Sequence, residues 1–320
     1  MIAAACVALA SCAKNEVAPI VVDESPIGFQ AVVGLENTRA AVDAIATTDK
    51  FMASAFLQNE GVAWPTDAQQ YFVNQEVAHN GTDWTTATPY YWPSKGSLTF
   101  FAHYPATSSF AKFDGINYVF EDYNVDTNKN IDLMVADVVA NKTANKVPVT
   151  FRHKLTRVAI SAIKLDATDV ANRTVTLTSV KLTNLNNQGT LTQEGATGAT
   201  AWSDRSGAQT YELLTGDQVV TAYGGATPQA ISTDQIFFLP QDFTTADAKI
   251  VITYTVTTPV AGGIGNSVET IVKESPLSAH SNFGMNCWYT FNLQIGAAQP
   301  IIWEQPAVEG WATETFNIAI

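Results

Sequence analysis

Cysteine is scarce, with Cys6, Cys12 and Cys287 the only three in 320 residues. So few cannot supply a disulfide framework. Basic residues are scarce too: 17 Lys and Arg face 30 Asp and Glu, a net charge of −13. That argues against nucleic acid or anionic lipid as a partner, because both require a basic patch. Past the N-terminus, no apolar run nears the roughly 18 residues of a membrane-spanning helix. Catalytic signatures are missing as well: there is no Gly-x-Ser-x-Gly, His-Glu-x-x-His or Cys-x-x-Cys. The four histidines, His79, His103, His153 and His280, are scattered, with no pair at ligand spacing. His103 and His153 fall in strand-like runs and read as hydrogen-bonded structural residues. Acidic pairs are plentiful, so a glycosidase stays open on sequence, with nothing positive behind it. No enzyme, cofactor or metal is expected.

What the chain does have begins at its start. Ile2 to Ala10 is a nine-residue apolar run without charge. It is too short to span a bilayer, which takes roughly 20 residues, and long enough for a signal h-region of about 7–15. Leu9-Ala10-Ser11-Cys12 follows and resembles a bacterial lipobox. Cys12 is then the lipidated residue and the first of the mature chain. No Lys or Arg precedes the run, so either the true start lies upstream or the signal is atypical. With Cys6 removed and Cys12 acylated, Cys287 remains alone, and it reads as a small hydrophobe in a strand-like run.

The chain as a whole is 46% hydrophobic and 15% charged, ample for packed cores and far from the composition of disorder. Its length suggests two domains of about 150 residues. Residues 13–25 are polar, with Pro19, and read as a tether. Pro26 to Val33 is the first strand candidate, and the segment to Lys50 reads as loop or short helix. From there the apolar period is mostly two, as in Leu98, Phe100, Ala102 and Tyr104, in Ile250 to Val256 and in Tyr289 to Ile295. Asp114-Gly115 predicts a two-residue hairpin turn. A change of parity near Ser179 predicts a bulge or bend. Asn186 to Gly189 reads as a turn. Gly262-Gly263-Ile264-Gly265 reads as a hairpin loop, since no helix or Walker lysine follows it. Residues 235–238 and 242–249 could hold a helical turn or two. The expected class is all-β, with many short strands broken by turns, which means sandwiches or barrels.

Several segments together resemble one family. They are Thr88-Pro89-Tyr90-Tyr91-Trp92-Pro93, Leu98 to Pro105, Asp132 to Ala136, Val149 to Leu155, and Asn286 to Ile295 with Trp303 and Trp311 beyond. In order and spacing they are similar to the fimbrillin-like (Mfa-like) lipoproteins of Bacteroidales type V pili. The resemblance implies two tandem transthyretin-like β-sandwich domains with few short helices. The expected layout is a signal peptide (1–11), a lipid tether (12–25), an N-terminal sandwich (26–146), a C-terminal sandwich (147–298) and a tail (299–320). It also implies export as a lipoprotein, proteolytic removal of a first strand, and filling of the opened groove by a strand from another subunit. Losing a strand exposes an apolar groove and unpaired backbone groups, which favours strand addition from a partner. Here the removable strand would present Ile27, Phe29, Ala31 and Val33. The cut would fall at Arg39, the only arginine before Arg152. The donor would be the tail, with Trp311, Phe316, Ile318 and Ile320; a final strand pair within its own domain is the equal alternative for that tail.

The resemblance implies partners that are other pilus subunits, with a host or bacterial surface receptor in reach. The implied place is the outer membrane, cell surface or fimbrium, touching the membrane only through the lipid. Two further features are weaker. Asp126 to Asp132 places oxygen ligands at alternate positions like the start of a calcium loop. Ile131 stands where the loop needs glycine and Asp137 where it needs Glu, so a plain Asx-rich turn is favoured. Trp84, Tyr90, Tyr91 and Trp92 form the densest aromatic cluster. Exposed, they would stack on sugars and make the chain a glycan-binding surface lipoprotein; buried, they are core.

Overall fold

The computed structural model describes residues 26–33, 45–107, 110–127, 131–140, 146–165, 172–231, 236–244, 247–260, 262–296, 302–303 and 307–310. The first half holds β1 (Phe29–Val33), β2 (Lys50–Gln58), β3 (Gln69–His79), β4 (Trp84–Thr86), β5 (Ser97–Tyr104), β6 (Lys112–Phe113), β7 (Tyr118–Asn124), β8 (Met134–Ala136), β9 (Val139–Ala140) and β10 (Val147–His153). The second holds β11 (Thr156–Lys164), β12 (Thr174–Gln193), β13 (Thr200–Glu212), β14 (Gln218–Val219), β15 (Gln229–Ala230), β16 (Ile236–Phe238), β17 (Lys249–Pro259), β18 (Asn266–Pro276), β19 (Cys287–Ile295), β20 (Ile302–Trp303) and β21 (Ala307–Gly310). The fold is all-β. Of the few short helices expected, one is a 3-10 turn at Leu277–Ala279, and Ile236–Phe238 is strand.

The strands form three sheets. The first runs β2-β3-β4-β1-β10-β8-β5-β9, and β2 also pairs with β5, so the order closes on itself. Phe29, Phe51, Phe72, Phe100 and Phe151 fill its interior. The second runs β15-β11-β19-β20, with β16 on β11 and β21 on β19. The third runs β18-β17-β12-β7-β6, with β13 and β14 on β12. Val158, Leu177, Ile250, Tyr254 and Phe291 pack between the second and third sheets.

Strand patterning explains these elements. Along β17 the side chains of Ile250, Ile252, Tyr254 and Val256 are buried, and the Val and Thr residues between them are half-buried. In β19, Tyr289, Phe291, Leu293 and Ile295 alternate the same way. Both follow from the period of two that one buried face imposes. The parity change near Ser179 is a register shift between Leu177 and Ser179 against β17. The Asp114-Gly115 hairpin is present, but its loop has four residues rather than two. Phe113 pairs with Tyr118, and the Asp114 carboxylate accepts the N–H groups of Ile116 and Asn117 at 2.8 and 2.6 Å.

One expectation fails. Asn186 to Gly189 is not a turn but lies inside β12, a strand of 20 residues. Its first part pairs with β17 and its last part with β7. The polar residues that imitate a turn sit at bulges: register shifts flank Asn184, whose φ is +57°, and Gly189. Strand pairing also crosses position 146 in both directions: β10 lies in the first sheet beside β1 and β8, and β7 lies in the third beside β12.

Candidate functional site: the first strand and its groove

The first strand alternates as its sequence requires. Ile27, Phe29 and Val33 are buried, Ala31 is half-buried, and Gln30 and Val32 face solvent. All four residues expected on the inner face are therefore brought to the first core. The Phe29 ring meets Phe51 at 6.0 Å and Phe100 at 6.1 Å, both edge-on. Such contacts add to the roughly 1.5–3 kcal/mol of burying the ring itself.

The two edges of β1 are held unequally. One edge pairs parallel with β10 over five residues, Phe29↔Val147 to Val33↔Phe151. The other meets β4 only at Phe29↔Trp84. Ahead of it the Ile27 N–H donates to the Tyr90 carbonyl at 2.7 Å, and Pro26 bridges Tyr91. The Val147 N–H donates to Gly28 O at 2.9 Å, and Lys146 pairs with Asp83 nearby. The strand is thus inserted, paired along one side and anchored by side chains beneath. Without it, β10 would present an open edge and the cavity left by Phe29 would lie between aromatic rings.

β10 itself is firmly placed. Arg152 grips Asp137 through a two-pronged pair, Nε–Oδ1 at 2.8 Å and Nη2–Oδ2 at 2.9 Å, a geometry that fixes orientation. The aromatic cluster divides. Trp84 and Trp92 are buried in the first core, Tyr90 packs against it, and Tyr91 is exposed. No row of solvent-facing rings forms there, so the cluster serves as the groove's wall.

The remaining expected site residues fall elsewhere. Cys12, Arg39, Trp311, Phe316, Ile318 and Ile320 lie outside the described residues. The tail just before Trp311 is paired within the chain: Ala307–Gly310 runs antiparallel to Thr290–Cys287, and Trp303 opposes Leu293. Asp126 to Asp132 is entered by an Asx turn, with Asn124 Oδ1 accepting the N–H groups of Asp126 and Thr127. Asp126 then bonds Asn187, and Asp132 pairs with His153. No group of three His, Cys, Asp or Glu converges for a metal among the described residues.

His103 and His280 are held inside the fold. His103 lies wholly buried with Nε2 donating to Thr107 O at 3.1 Å and Nδ1 within hydrogen-bond distance of the Tyr118 hydroxyl at 2.8 Å. Burial pulls its pKa down to about 4, so the ring is neutral at pH 7. Burial also lowers His280, which bonds Ser275 at 2.8 Å. Cys287 is half-buried in β19, its thiol directed to Met285 O at 3.5 Å. Sequence reasoning missed the neighbours of β1. Its parallel partner begins 118 positions later, at Val147, and no local pattern announces so distant a pairing.

These features define an all-β fold with an inserted first strand. Residues 38–311 match the fimbrillin-like family, and the chain belongs to it. A search of curated proteins returned no match. Among solved structures, a fimbrial protein from Bacteroides vulgatus is 19% identical and superposes with a TM-score of 0.70, over 90% of this chain and 99% of its own. A candidate cell adhesion protein from Bacteroides uniformis is 21% identical, with a TM-score of 0.51 over 90% and 99%. Another from Bacteroides ovatus is 17% identical, with a TM-score of 0.51 over 91% and 99%. At these identities the likeness shows the fold.

Proposed function

We propose that this chain is a structural subunit or accessory adhesin component of a type V pilus, displayed at the cell surface. It is exported as a lipoprotein through Cys12 and assembles by strand exchange. Its partners are other subunits that add a strand, with a surface receptor beyond them. The observation that carries this reading is the lopsided seat of β1, with five pairs along β10 against one with β4, over a groove of aromatic rings. A strand held on one edge and by three buried side chains can be replaced by another of the same pattern without disturbing the sheet around it. Cleavage after Arg39 would release β1, and the apolar segment Trp311 to Ile320 has a composition suited to fill the vacancy in a neighbour. The burial of Trp84 and Trp92 argues against the rival reading in which this cluster is a sugar platform.

The test is the N-terminus of the protein on its native cells, by mass spectrometry of sheared surface material and of membranes. An N-terminus at Ala40 in high-mass sheared material supports strand exchange. Acylated Cys12 confined to membranes, with β1 retained, overturns polymerisation through Arg39.

A further inference from the structure

A second site lies away from β1, where the first sheet meets the β12–β13 loop. It is a cleft of about 310 Å³ between the end of β2, the start of β5 and residues 195–197. That is near the lower end of ligand pockets, about 300–1,000 Å³. No ionisable side chain lines it.

Its floor holds an unused donor. Gln58 is 4% exposed, and its amide oxygen accepts from Thr99 Oγ1 at 2.8 Å. Among the described residues its amide nitrogen has no acceptor, and Gln58 lines the cleft. That N–H is open to the cleft, where water or a ligand oxygen can accept its bond. Ser97, opposite Gln58 on the neighbouring strand, adds a hydroxyl.

The walls are set in advance. Trp64 is wedged against Phe101 and Phe113, both at 5.5 Å, and its Nε1 donates to Ile116 O at 3.3 Å. The facing loop is fixed by the Thr197 hydroxyl, which donates to Glu194 at 2.7 Å. Gly195 lets that loop close on the indole: a Cβ there would stand 2.2 Å from Ile116 O and 2.3 Å from Trp64 Nε1.

We propose that this cleft binds a neutral sugar residue. An indole offers an apolar ring for the C–H face of a pyranose, and the free amide N–H with the hydroxyls of Ser97 and Thr99 matches its hydroxyl groups. Phosphate, sulfate and carboxylate find no cation here. A peptide strand would need an open row of backbone groups, whereas Gln58 and Ser97 already pair with each other through theirs. The site stands apart from the β1 groove and does not depend on strand exchange.

The experiment is saturation-transfer NMR on the full chain with galactose, N-acetylgalactosamine, N-acetylglucosamine, mannose and fucose, and with sialic acid as the charged contrast. Saturable binding of at least one neutral sugar is expected. Ala63→Trp, at an exposed position on the rim, should weaken it by about tenfold or more with the unfolding temperature kept. Gln58→Met should weaken it by about tenfold through loss of the donor. No neutral sugar bound at millimolar concentration, binding that survives Ala63→Trp, or a preference for sialic acid would each overturn the proposal.

Discussion

Phe29 shows how much of the first strand's hold rests on one side chain. It is buried between Phe51 and Phe100, with a single backbone pair on the β4 side. Phe29→Ala leaves a cavity that close-packed rings fill poorly, so it should cost about 3–5 kcal/mol in urea unfolding. A loss below about 1 kcal/mol would mean that the groove collapses readily around the gap. A second residue sets a pH dependence. The His103 pKa lies at about 4 in the fold against 6.5 for the free side chain. Between those values the unfolded chain binds the proton and the folded chain does not. Stability is therefore full above pH 6.5 and falls as the pH drops towards 4, by about 3 kcal/mol at most. Burial holds the ring in its neutral form, against the smaller opposing pull of the bond to Thr107 O. Urea midpoints measured from pH 7 to pH 4 should slope downward in the wild type and flatten in His103→Gln. Equal slopes would place the titration on other groups.

At the scale of elements, β12 and β13 test how bulges are accommodated. Gly207 in β13 has φ +74°, and a Cβ there would stand 2.1 Å from Asn187 Oδ1. Asn187 is buried and bonded to Asp126 at 2.6 Å, so it has little freedom to retreat. Gly207→Ala should cost about 1–3 kcal/mol in backbone strain, plus the clash. Gly262→Ala, at φ +96° with nothing within 4 Å, should show the strain alone. Equal losses in the two variants would show that Asn187 yields. The same strands mark what the sequence made legible. Alternation in β17 and β19 is visible because a single buried face fixes it. Asn186 to Gly189 deceives because bulges in a long strand use the residues that turns use. The four inner residues of β1 were readable from their period. The parallel pairing to β10 was not, since parallel partners are joined by long connections with no local signature. The Gln58 cleft left no trace either: its indole, amide and hydroxyls come from separate segments and meet only through the packing of β2, β5 and the β12–β13 loop.

The whole molecule is bound together by a third core. Phe56 and Phe101 from the first sheet meet Tyr118, Phe120, Leu191 and Trp202 from the third, with Leu155 and Leu239 alongside. β7 reinforces this union, because it precedes β8–β10 in sequence yet pairs with β12. Trp202 is the centrepiece: it is buried, its Nε1 donates to Lys154 O at 2.7 Å, and its ring lies 5.8 Å from Tyr123. Lys154 sits between β10 and β11, the last strand of the first sheet and the first of the second. A shared core of this kind couples the two halves, since unfolding either one strips apolar cover from the other. Calorimetry should therefore give a single transition, whose calorimetric and van't Hoff enthalpies agree. Trp202→Ala removes the ring and leaves the Lys154 carbonyl without its donor, at about 3–5 kcal/mol. That loss falls at the junction, so the variant should unfold in two steps, with hydrogen exchange quickening in β7 and the C-terminal part of β12 before β17. Two transitions already in the wild type would show that each half is stable alone. Trp202→Ala would then lower both only slightly, and the third core would be a contact surface instead of a coupling one.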